Sequence, residues 1–140
     1  MIEDIVFPEK EILEISFLNR DDFYSIILKN TEYLIVGGDK DIKSNLIGIK
    51  SSKEVYYLST DDNKISYISK NIDIFLSELL LFDKYVTEKA LELPENPNDM
   101  QLFEFAYEFK KEILKLDKNA FLDSNTYWSE IYEEMEYGIL

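Results

Sequence analysis

Paired carboxylates are the one common acid–base strategy open to this sequence, which contains neither histidine nor cysteine. Ser-His-Asp and Cys-His relays need an imidazole to take and return a proton near neutral pH, and the usual catalytic zinc sites draw on imidazole ligands. Without cysteine there is also no disulfide framework, thiolate nucleophile or Cys-type zinc site. The adjacent acidic pairs are Asp21-Asp22 and Asp61-Asp62. On a strand, neighbouring side chains point to opposite faces, and on a turn both face water, so neither pair converges on a substrate. Asp61-Asp62-Asn63 and Gly38-Asp39-Lys40-Asp41 cluster oxygens as a hard cation requires, but lack the spaced ligands, glycine and closing glutamate of a calcium loop. Gly37-Gly38 lacks the lysine and hydroxyl residue of a phosphate loop. No catalytic residue, cofactor or metal is assigned, and an enzyme relying on carboxylates alone would need several to meet in a buried cleft.

The elements that carry these residues divide the chain in two. Ile12 to Phe17 alternates weakly, and Phe23 to Leu28 suits a strand or a short helix. Tyr33 to Val36 reads as a buried strand stopping at a tight turn over Gly37-Gly38-Asp39. Asn45 to Ile49, Val55 to Leu58 and Ile65 to Ile68 follow as antiparallel strands, the last two joined by the polar turn Ser59 to Lys64. At Asn71, an N-cap, the period changes: Ile72, Phe75, Leu76, Leu79, Phe82 and Val86 mark one face of a helix running to about Leu91, before Pro94 and Pro97. Asn98 and Gln101 form a capping box for a second helix, with Leu102, Phe105, Ala106, Phe109, Ile113 and Leu116 inward. A third starts near Thr126, turns Trp128, Ile131, Tyr132 and Met135 inward, and ends at Gly138. Strands followed by helices specify one α+β domain over residues 1–140: a twisted, mainly antiparallel sheet of five to six strands in the first half, packed by helices mainly from the second.

Charge limits the partners. With 29 acidic against 15 basic side chains the net charge is −14, a field that repels nucleic acid and anionic membranes. The same field would steer a basic protein inward, or serve only solubility. The longest apolar stretch, Ile72 to Val86, already contains Asp73, Glu78, Asp83 and Lys84, so no membrane span is expected. Glu3, Asp4, Glu9 and Lys10 interrupt the segment where a secretory signal would be apolar, and the expected compartment is the cytoplasm. Most of the aromatic rings fall on inward stripes. Tyr137 does not: Glu130, Glu133, Glu134 and Tyr137 recur at i, i+3, i+4 and i+7, so one face of the last helix is acidic with a tyrosine at its end. That face is either a solvated surface or, together with Asp61 and Asp62, the surface that receives a partner.

The run Ile47-Gly48-Ile49, Val55-Tyr56-Tyr57-Leu58 and Ile65-Ser66-Tyr67-Ile68-Ser69-Lys70-Asn71-Ile72-Asp73-Ile74-Phe75 resembles the signature of SUKH-superfamily immunity proteins, particularly the fourth subgroup, in which a strand pair leads into Asn-Ser-Ser-Leu-x-x-Phe at the start of a helix. Ser69, Lys70 and Asn71 match that motif in spacing, and Ile72 and Phe75 keep its apolar positions. Val6-Phe7-Pro8, Tyr33 to Gly37, and Tyr127-Trp128 through Gly138 resemble its flanking segments in the same order, although the helix that opens relatives has no counterpart before Pro8. The resemblance implies an α+β fold and the binding and neutralisation of a cognate basic toxin protein in the cytoplasm, often a nuclease or nucleic-acid deaminase. It carries over no catalytic residue. The superfamily also includes scaffold and regulatory binding modules, the alternative that the resemblance leaves open along with oligomeric state.

Overall fold

A computed structural model describes residues 5–139; Glu3 and Asp4, part of the reading against a secretory signal, lie outside the described residues. The fold is α+β, with a six-stranded antiparallel sheet in the first half and three α-helices in the second. The strands are β1 (Ile15–Phe17), β2 (Tyr24–Leu28), β3 (Thr31–Asp39), β4 (Asn45–Ile49), β5 (Val55–Ser59) and β6 (Lys64–Ser69); the helices are α1 (Ile72–Thr87), α2 (Asp99–Leu116) and α3 (Tyr127–Glu136). The sheet order is β1-β3-β4-β5-β6, and β2 also pairs with β3.

β3 organises the sheet because two strands share one of its edges. β2 pairs along Thr31 to Ile35 and β1 along Gly37 to Asp39, while on the other edge a bulge between Ile35 and Gly37 shifts the register against β4. The bulge bends the strand at the place where one neighbour hands over to the other. β2 and β3 are joined by Lys29 and Asn30, both at positive φ (50° and 64°), the conformation that matches a two-residue hairpin to strand twist.

The turn expected at Gly37-Gly38-Asp39 is not there. Both glycines lie inside β3, and what they supply is close approach: a Cβ on Gly37 would sit 2.6 Å from the Ser16 carbonyl oxygen, and one on Gly38 2.6 Å from that of Asn45. A Gly38→Ala substitution must push β3 and β4 apart, and we expect it to destabilise the fold by about 2 kcal/mol in urea unfolding.

The sheet is apolar on both faces. One face contributes Val36, Ile47, Ile49, Val55 and Ile68 to the main core, where the helices add Phe75, Leu79, Phe82, Phe109, Ile113 and Trp128. On the other, Tyr33, Ile35 and Leu58 are buried among Leu18, Ile26, Leu28, Leu46, Tyr56 and Ile65. Tyr33, Tyr56 and Tyr67 meet there edge to face, at 5.9 and 5.8 Å.

The helix ends follow their chemistry. Asn71 Oδ1 accepts from the Ile74 amide at 2.9 Å, and Asn98 and Gln101 exchange both capping-box bonds, at 2.8 and 2.9 Å. α1 stops at Thr87, short of Leu91; Pro94 disfavours helical backbone at Leu93, and the chain tightens into a 3₁₀ turn over Lys89–Glu92. After α3, Gly138 (φ +70°) donates to the Met135 carbonyl and Ile139 to that of Glu134, a Schellman motif. No helix among the described residues is long and apolar enough to cross a membrane.

Candidate functional site

The acidic face of α3 is set by what its opposite face buries. Thr126 caps the helix: its Oγ1 accepts from the Ser129 amide at 3.2 Å and donates to the buried Ala120 carbonyl at 2.6 Å. Ser129 Oγ donates to the Asp123 carbonyl at 2.7 Å, so the first turn is tied to the preceding loop at two points. Tyr127, Trp128, Ile131 and Met135 then face the core, and Trp128 is fully buried with its ring centre 5.7 Å from Phe109 and 6.3 Å from Phe82. With that side fixed, Glu130 and Glu133 are exposed and Glu134 is half-buried. Partial burial pushes the Glu134 carboxyl above its ordinary value, and the charges of Glu130 and Glu133 push it further.

Strand residues complete the surface. Tyr57, on the helix-facing side of β5, packs its ring 5.3 Å from that of Tyr127. Burial raises the Tyr57 phenol first, and the nearby Asp39 carboxylate adds to it; Tyr127 is raised chiefly by burial, then by Tyr57, Glu134, Asp39 and Glu130. Asp39 and Glu130 therefore lie within electrostatic reach of both tyrosines, and Glu134 within reach of Tyr127. Asp39 is held in place by its own loop, its Oδ1 accepting from the amides of Asp41 (2.8 Å) and Ile42 (3.0 Å).

The turn carrying Asp61 and Asp62 lies at the same end of the sheet. Thr60 donates from both its amide and its hydroxyl to the Ser44 carbonyl, at 2.9 and 3.0 Å, which ties this turn to the β3–β4 loop. Lys64, two positions after Asp62, reaches Glu130 at 3.3 Å. Asp62 accepts from Ser59 Oγ at 3.2 Å, and both aspartates are exposed. Tyr137 is the C-cap of α3 and 72% exposed, a full turn beyond Glu133. Sequence reasoning missed Asp39, Tyr57 and Tyr127. The alternation of β5, which puts Val55 and Tyr57 on one face, was the signal available for Tyr57; nothing local paired it with Tyr127.

A second polar group is buried between the sheet and the helices. Glu78 of α1 is fully buried, where its heptad-like neighbours are apolar, and it faces Ser69 at the end of β6 and Trp128 of α3. None of Ser69 Oγ, the two Glu78 carboxyl oxygens or Trp128 Nε1 makes a hydrogen bond of good geometry. Burial drives the Glu78 carboxyl from its ordinary 4.5 up to about 8, with Asp117 adding to the rise; Ser69, Trp128 and Lys70 oppose it. Asp117, by contrast, is satisfied: it accepts from Tyr67 Oη at 2.6 Å and from the amides of Lys70 and Asn119, each at 3.0 Å.

A groove of about 680 Å³ runs between Leu34, Ile49 and the start of α1. Its carboxylates are Glu32 and Asp73, interspersed with Lys50 and Lys53, so it does not present a convergent acid pair. Asp21 and Asp22 sit in a short 3₁₀ turn and are exposed. Among the described residues no group of three or more carboxylates is arranged to hold a metal ion. No protein-family model matches the sequence, and neither a curated protein nor a solved structure is significantly similar to it.

Proposed function

We propose that this chain is an immunity protein of the SUKH type, which binds a basic toxin domain in the cytoplasm and neutralises it by direct contact. The observation that carries this reading is the acidic surface at one end of the sheet, where Asp39 and Glu130 act on both Tyr57 and Tyr127, Glu134 acts on Tyr127, and the Asp61-Asp62 turn adjoins them through Lys64. Tyr127 is buried and holds Tyr57 in place, and the half-buried Tyr57 ring beside carboxylates suits a cationic partner, since lysine and arginine pair with the acids and lie against an accessible ring. The net charge of −14 adds long-range attraction. The strand pair leading into an Asn-capped helix supplies the likeness to immunity proteins.

Two experiments test it. Co-expression with the product of the adjacent gene should yield a stable complex and relieve that product's toxicity; a neighbour that neither binds nor harms the cell overturns the immunity reading. Reversing Glu130, Glu133 and Glu134 to lysine should then slow association roughly ten- to a hundredfold at low salt, measured by surface plasmon resonance, because charge complementarity acts mainly on the on-rate. Circular dichroism of the variant should be unchanged, as Glu130 and Glu133 are exposed and Glu134 is half-buried. Unaltered binding at low salt would remove α3 from the interface.

A further inference from the structure

α2 carries a second stripe besides the one it buries. Met100, Phe103, Tyr107 and Leu114 are 64%, 46%, 45% and 37% exposed, and their spacing of three, four and seven places them along one outward face. Phe103 and Tyr107 stack nearly parallel with ring centres 6.0 Å apart. Lys111 lies over Tyr107 at 5.3 Å, and Lys110 over Phe121 and Tyr132 at 5.1 and 4.9 Å. A run of large apolar side chains on one solvent-facing helix is uncommon on a protein that functions alone.

The order of charge along this stripe selects its occupant. Glu104 precedes Tyr107, Glu108 follows it directly on the outer flank, and Lys110, Lys111 and Glu112 come after. Four of the chain's 15 basic side chains, Lys110, Lys111, Lys115 and Lys118, fall in this short stretch, where they outnumber the acids among them, Glu112 and Asp117. Turned end for end about Tyr107, the stripe is complementary to itself. Met100 comes opposite Leu114, Phe103 beside Lys110, and Glu104 beside Lys111 on the same flank. An isologous contact needs just this property, that residue i meets j while j meets i. Antiparallel helices also bring like flanks together, which pairs Glu104 with Lys111 twice.

We propose that the chain self-associates through this face, two copies packing α2 against α2 in antiparallel fashion around Tyr107. The stripe shares no residue with the acidic end of the sheet, so the dimer would present that end twice. The apolar stripe provides the contact, and the local lysines offset the repulsion between two acidic chains.

Sedimentation equilibrium from low micromolar to near-millimolar concentration tests this on the full chain. The wild type should show a monomer–dimer equilibrium, and Tyr107→Lys should be monomeric. Glu104→Lys and Lys111→Glu, both at exposed positions, should each weaken dimerisation about tenfold. An equimolar mixture of the two variants should restore it as a heterodimer, because the reversed charge at position 104 of one copy then faces the reversed charge at position 111 of the other, opposite in sign. Recovery on mixing is not expected of substitutions that merely disturb a helix. A chain that stays monomeric throughout overturns the proposal, as does a dimer indifferent to all three substitutions or a mixture no stronger than its components. If the chain is monomeric and Tyr107→Lys instead weakens capture of the basic partner, the stripe belongs to that partner and self-association is excluded.

Discussion

Replacing Glu78 with glutamine should make the protein more stable than the wild type in alkaline solution and less dependent on pH between about 4.5 and 8. The carboxyl titrates near its ordinary 4.5 when the chain is unfolded and near 8 in the fold, so over that interval the unfolded state is ionised while the folded state holds a proton. The contribution of this proton is fully present below the unfolded value and is lost as pH rises to the folded one, where Glu78 must ionise among Ser69, Trp128 and the nearby Asp117. A shift of this size corresponds to roughly 5 kcal/mol across the interval. Glutamine keeps the shape and cannot ionise, so the stability difference between variant and wild type should grow by about that amount as pH rises. Urea titrations at a series of pH values measure it, followed by the fluorescence of the single tryptophan, Trp128. A constant difference across the interval would show that Glu78 is already ionised in the fold.

Trp128→Ala should be the most damaging single substitution on the helical side, costing about 3–5 kcal/mol, the usual loss when a large buried ring leaves a cavity. The ring is fully buried against Phe82, Phe109 and Tyr127, so all three helices share the gap. Circular dichroism in urea is the suitable measurement, since the variant has no tryptophan. Trp128→Phe separates two roles: it retains most of the ring and removes the Nε1 that faces Glu78. It should cost less than half as much as alanine. Equal losses would mean that the N–H facing the carboxyl, rather than packing, is what the fold depends on.

Such a position was readable in the sequence as far as its burial. Trp128, Ile131 and Met135 recur with the helical period, and that period alone requires one face to be inward. The capping residues Asn71 and Asn98 were readable for the same kind of reason, because a cap is satisfied by an amide three residues away. The β2–β3 hairpin was harder to see. Lys29-Asn30 takes positive φ at both positions without the glycine that usually announces it, and the chain before it gave only a weak strand pattern. Gly37-Gly38 misled in the opposite direction, because glycine serves a tight turn and a crowded strand equally well, and only the approach of β1 and β4 distinguishes them. Phe103 and Tyr107 stand outside the inward stripe that the period marks on α2, and the fold leaves both on its outward face.

The candidate binding surface divides along the same line. Glu130, Glu133, Glu134 and Tyr137 belong to one helix, and their common face follows from 3.6 residues per turn. The association of Glu130 and Glu134 with Asp39, Tyr57, Tyr127 and the Asp61-Asp62 turn joins segments that are far apart in the chain, and depends on how α3 lies across the sheet. The amino-acid sequence by itself determined the division into a strand half and a helix half, the caps at Asn71 and Asn98, the inward stripes and the sign of the field, because each depends on neighbours within a few residues or on a sum over the chain. Tertiary structure alone decided that β1 and β2 share an edge of β3, that Glu78 is enclosed with a proton to keep, and that scattered acids gather around two tyrosines. Those outcomes depend on contacts between distant segments, and no local period encodes them.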